Sequence, residues 1–101
     1  MTQALFIFSA KGVATEATSY RPGARHALML YARGSEIESA RLAAVAGAES
    51  RGWNFVEVQR QKEIDADLSA IEDETLRSAA QDASRLGYSM IVYRNELPLN
   101  A

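Results

Sequence analysis

The sequence predicts an α+β domain, a two-layer sandwich of one four-stranded mixed sheet with two helices on one face. Three observations carry this. Four runs rich in aliphatic, aromatic and β-branched residues are set apart by polar punctuation. Two segments with helical caps and alanine or amphipathic spacing stand between the later runs. The resulting order is β-β-α-β-α-β over residues 1–101, one domain's length of chain.

Ala4 to Ala10 is short, apolar and aromatic, which favours a strand. Lys11 to Arg25 is polar, and Pro22-Gly23 suits a turn, so this stretch reads as a loop. His26 to Arg33 is the second strand, with Gly34 as punctuation. Ser35-Glu36-Ile37-Glu38 has the form of a capping box, and an alanine-rich helix follows to Ser50. Gly47 weakens that helix and Arg51-Gly52 stops it.

Trp53 to Gln59 is a strand by its aromatic and β-branched content, with an extension to Ile64. Ser69 to Glu72 offers another capping box, with Asp73 and Thr75 as alternative starts. Leu68, Ile71, Leu76, Ala79, Ala80, Ala83 and Leu86 then mark a helical stripe ended by Gly87. Tyr88 to Arg94 is the last strand, and residues 95–101 read as a loose tail.

Two helices about 10 Å wide cover about the width of four strands at about 4.8 Å spacing, which places both helices on one face. The first two strands are expected to pair antiparallel, and the two β-α-β crossovers to be parallel and right-handed. A ferredoxin-like arrangement is related, but it has a helix between its first two strands where this chain has a loop.

Composition excludes several chemistries. The chain has no cysteine and a single histidine, so disulfide scaffolds, thiolate catalysis and two-histidine metal sites are out. No apolar run approaches the roughly 20 residues of a membrane span, and no signal peptide is visible. The expected location is cytoplasmic, with no membrane partner. Arginine outnumbers lysine 9 to 2 and there are 18 alanines, a bias that fits a GC-rich bacterial source. A net charge of -2 gives no global attraction to nucleic acid, which is disfavoured as a partner.

Local motifs are weak. Arg51-Gly-Trp-Asn-Phe-Val-Glu-Val58 partly matches an RNA-recognition signature, with Leu5-Phe6-Ile7 as companion. Asn54 and Val58 break the match, and a buried Trp53 anchor is the better reading. Glu63, Asp65, Asp67 and Glu74 have calcium-loop spacing, but Leu68 stands where the turn glycine belongs. Neither metal nor cofactor is implied. No nucleophile–base pair is visible either, so binding is expected over catalysis.

With strands two, three and four parallel, one end of the sheet gathers Lys11, Arg25, His26, Arg51 and Arg85. Glu36, Glu38, Asp65, Asp67, Glu72, Asp73 and Glu74 gather at the other. Lys11, Arg25 and His26 are the candidate binding residues, for an acidic ligand or protein partner. Leu5-Phe6-Ile7-Phe8, Leu28-Met29-Leu30-Tyr31 and Met90-Ile91-Val92-Tyr93 do not alternate, so both faces of these strands are apolar. With both helices on one face, the other is left bare, and a homodimer packed sheet on sheet would bury it. The competing solution puts one helix on each face. The expected function is that of a self-associating accessory protein, with a small-ligand or nucleic-acid binder at the basic end as the alternative.

Overall fold

The computed structural model describes residues 3–64 and 68–98. Strands β1 (Ala4–Ala14) and β2 (Arg25–Gly34) form the antiparallel centre of the sheet. Strand β3 (Trp53–Ile64) flanks β1, and β4 (Tyr88–Glu96) flanks β2, giving the order β3-β1-β2-β4. Helix α1 (Ile37–Ser50) joins β2 to β3, and a 3-10 turn at Leu68–Ala70 precedes helix α2 (Glu74–Leu86). No described helix is long and apolar enough to cross a membrane.

Every neighbouring pair in the sheet is antiparallel, which corrects the expected mixed sheet. The first crossover is parallel as expected, because β2 and β3 both run against β1. The second is not. Ile64 pairs at the level of Leu5 and Arg33, and Tyr88 enters opposite Ala32. Strand β4 therefore starts at the end where β3 stops. The connection has two legs: Leu68 and Ile71 pack beside Leu5 and Tyr31, and α2 then runs against β4. A single helical leg would have returned the chain parallel; a second leg reverses it.

The helices lie on opposite faces, which corrects the two-layer arrangement. Ala40, Ala44 and Ala48 of α1 pack on Phe6, Phe8, Ala10, Leu28, Leu30 and Ala32. Ala79, Ala80 and Ala83 of α2 pack on Leu5 and Tyr31, from the other side of the same strands. The non-alternating strand runs demand this, because each face carries its own apolar set and each needs a cover. Alanine at every buried helix position lets both helices approach the sheet closely.

Several boundaries move. Strand β1 continues through Lys11 to Ala14, because Ala10, Gly12 and Ala14 are buried on the α1 face while Lys11 and Val13 turn the other way. The loop shrinks to residues 15–24. The Ser35 capping box does not form: Glu36 is the N-cap of α1 and makes no side-chain cap bond. At α2 the alternative start is the real one, with the Asp73 carboxylate accepting from the Leu76 amide at 2.9 Å. Gly87 closes α2 in the left-handed region at φ 96°. The expected tail is partly strand: β4 reaches Glu96, and the Leu97 amide bonds to the Arg25 carbonyl at 2.7 Å. Residues 99–101 lie outside the described residues.

Candidate functional site

Residues directly opposite in an antiparallel pair share a face. Lys11 lies opposite Ala27, and Arg25 opposite Val13, so both cations project on the α2 side of the sheet. His26 lies opposite Gly12 and shares the α1 side with Leu28 and Leu30. The three candidate binding residues are therefore not one site. His26 is 1% exposed, and its Nδ1 donates to the Tyr93 carbonyl at 2.8 Å. Its ring lies 4.7 Å from Tyr20 and 5.6 Å from Trp53, centroid to centroid. It is a core histidine in an aromatic cluster. The Arg25 Nη2 donates to the Pro98 carbonyl, and its Nε is buried without a partner.

The expected basic end is also rearranged. Arg85 follows the reversed β4 to the opposite end of the sheet, beside Arg33 and Ser84, and pairs with Asp82 at 3.2 Å. Arg51 packs its guanidinium 4.5 Å above the Tyr88 ring on the α1 side. At the end where β4 finishes, Arg21 and Glu96 form a solvent-exposed ion pair at 2.6 Å. That pairing holds the Glu96 carboxyl below its ordinary range.

The positive surface that does form lies on the α2 side, where α2 covers β4 and β2 but reaches little of β1. Lys62 stands opposite Ile7 and Arg60 opposite Ser9, so both join Lys11 and Arg25 on this face. Glu57, opposite Lys11, is the acid among them. Two adjoining hollows run along this surface and share Ile7 and Lys62. One, of about 470 Å³, is lined by Ser9, Met29, Arg60 and Gln61 as well. The other, of about 370 Å³, reaches under the chain leading to α2, between Ile64, Ala70, Ile71, Leu76 and Tyr31.

Tyr31 forms part of the floor of the deeper hollow. It is 1% exposed, and its hydroxyl is buried with no hydrogen-bond partner. Burial pushes its pKa up to about 12, so the hydroxyl keeps its proton and remains a donor. An unpaired buried hydroxyl costs about 1–3 kcal/mol, so this position carries a local cost.

Other sequence readings fare differently. Phe6 and Trp53 are 4% and 1% exposed, both on the α1 side, so neither ring is available to stack a base. Asp65 and Asp67 of the calcium-like spacing lie outside the described residues, and no metal-ligating cluster occurs among the described ones. The helix-free face on which sheet-to-sheet dimerisation was expected does not exist. Arg60, Lys62 and Tyr31 escaped the sequence reading as site residues. Parity along β2 puts Tyr31 beside Met29 and Ala27 and was legible. Parity along β3 was not, because the register shifts between Ser9 and Ala10 and again between Lys11 and Val13. Comparison with protein-family models, with curated proteins and with solved structures finds no match to this chain.

Proposed function

We propose that the chain is a non-catalytic, cytoplasmic binding domain whose open surface on the α2 side takes a small acidic ligand. The observation that carries this is that Lys11, Arg25, Arg60 and Lys62 share this side of the sheet with Glu57, and that Arg60 and Lys62 line the adjoining hollows. A cleft lined mainly by one sign of charge concentrates ligands of the other sign. The cytoplasmic placement is part of the same proposal, supported by a cysteine-free chain that needs no oxidising compartment. Amide NMR shifts test the reading, with inorganic phosphate, a short acidic peptide and an oligothymidylate as separate anionic probes. Changes clustered at Ile7, Ser9, Met29 and Lys62 with one of the small probes support it. Changes confined to the α1 side, or none with any probe, overturn it. Tightest binding by the oligonucleotide would replace it with a nucleic-acid function.

Self-association is the second reading, favoured by Phe55, which is 81% exposed on β3, a strand paired on one side only. Large apolar side chains on unpaired strand edges invite a second chain. Face-to-face packing of the open surfaces is opposed by four cations meeting four. Light scattering on a sizing column separates the cases: a mass near 11.1 kDa across a tenfold dilution rejects self-association, and twice that mass supports it.

A further inference from the structure

We propose that the outer face of α1 is a contact surface for a second copy of this chain, the two helices lying antiparallel about a two-fold axis at the level of Val45. Leu42 of each copy rests on the partner's Ala46, and Arg41 of each pairs with the partner's Glu49. This goes beyond the acidic-ligand reading and is independent of it, because α1 and the open surface lie on opposite faces of the sheet. It also gives self-association a surface other than the β3 edge.

The residues of the helix single out this face. Ala40, Ala44 and Ala48 are its buried side, packed on the sheet. Leu42 and Ala46 stand two residues from these alanines, about 200° around the helix, and so point away from the sheet. Leu42 is 73% exposed, with Ala43 and Ala46 exposed beside it. Helix α2 differs: before its final Leu86, the exposed positions are Glu74, Thr75, Ser78, Gln81, Ser84 and Arg85, all polar. A helix with one side in water should be polar on that side, as α2 is, whereas apolar residues on both sides mark a helix covered twice.

Charge decides what covers it. Arg41, Val45 and Glu49 form one row of the helix at four-residue spacing. Arg41 and Glu49 are about 12 Å apart along the axis, too far to pair with each other. Neither forms an ion pair among the described residues. A two-fold axis at Val45 sets each Arg41 across from the partner's Glu49, so the contact occurs twice. A parallel pair would set arginine on arginine and glutamate on glutamate, so the charges select the antiparallel one. The adjacent row, Leu42 and Ala46, centres one residue earlier, a rise of about 1.5 Å, and seats each leucine over a small alanine. A helix of 14 residues is about 21 Å long, so the contact is smaller than the roughly 1,200–2,000 Å² of a standard interface and the dimer dissociates on dilution.

The test is sedimentation equilibrium of the whole chain from about 10 μM to about 1 mM, the range of a weak interface. The weight-average mass should rise from near 11.1 kDa toward twice that value. L42K should hold the mass at one chain throughout without lowering the melting temperature, because Leu42 is exposed and outside both core clusters. R41E and E49R should each weaken association about fivefold, and the double variant R41E/E49R, which exchanges the two charges, should restore it. F55S should leave association unchanged. A mass of one chain at every concentration, or an L42K variant that associates like the unmodified chain, overturns the α1 contact. A double variant no tighter than R41E or E49R alone overturns the antiparallel charge pairing. Loss of association in F55S but not in L42K overturns the proposal in favour of the β3 edge.

Discussion

The ring of Tyr88 lies so close to Gly47 that a β-carbon added there would sit 2.6 Å from two ring atoms. The glycine that looks like a flaw in an alanine-rich helix is the place where β4 presses its first aromatic side chain against α1. The guanidinium of Arg51, which also donates to the Gly47 carbonyl at 3.1 Å, lies 4.5 Å over the same ring. Helix propensity alone would make G47A stabilising by up to about 1 kcal/mol. Overpacking costs about 1–3 kcal/mol and should win. G47A is therefore expected to lower stability in urea unfolding. In a Y88L background the same change should be neutral or stabilising, and a sign that stays negative there would show that the ring is not the cause.

Phe55 has φ 51°, in the left-handed region, and the residue is 81% exposed. It sits at the irregularity where β3 slips register against Lys11 and Val13. A non-glycine residue pays roughly 1–2 kcal/mol for that conformation, and an exposed ring returns little of it. F55G should hold or raise the unfolding midpoint, while β-branched F55V should lower it. A clear loss of stability in F55G would mean that the ring packs in solution, as it would in an oligomer, and light scattering on the same sample would then show a mass that falls in the variant.

Trp53 anchors the start of β3 in the α1-side core, with Tyr20 5.8 Å away and His26 packed edge-on. Tyr20 reaches it from the loop between β1 and β2, so this cluster also pins that loop. W53A should cost about 3–5 kcal/mol. The native emission maximum should be well to the blue of free tryptophan, and Y20A should shift it toward the red by opening one side of the indole. Emission like that of free tryptophan in the folded protein would contradict the burial.

The strands and helices were legible because each carries a local signal: Leu5-Phe6-Ile7-Phe8 reads as strand, Asp73 as a cap and Gly87 as a stop. The faces were not. A run that is apolar on both sides says that each face needs a cover, but the width of two helices is equally consistent with covering one face fully or two faces in part. What decides it is the path from Ile64 to Glu74, and no periodicity encodes a path. The candidate site failed for a related reason. Lys11, Arg25 and His26 lie close in the strand order, yet one step along β2 separates the half-buried Arg25 on the α2 side from the core His26 on the α1 side. Alternation with Leu28 and Leu30 contained that information. Arg60 and Lys62 reach the same surface as Lys11 through register slips in β3, which leave no mark in the residue pattern.

Tyr31 and Tyr88 give the fold an alkaline limit. Burial pushes both phenols up to about 12 from the ordinary 10.0, with Arg51 pulling Tyr88 partly back. In the unfolded chain these phenols lose their protons near pH 10. In the folded chain they hold them, so above pH 10 deprotonation increasingly favours the unfolded state. Stability from this source is complete below pH 10 and drains away as pH rises through about 12. Absorbance at 295 nm should therefore show two of the four tyrosines ionising late, in step with loss of the circular dichroism signal. Y31F and Y88F should each remove one phenolate from that late step and flatten the fall in stability between pH 10 and 12. Full phenolate absorbance by pH 11 in a protein that is still folded would show that water reaches both hydroxyls.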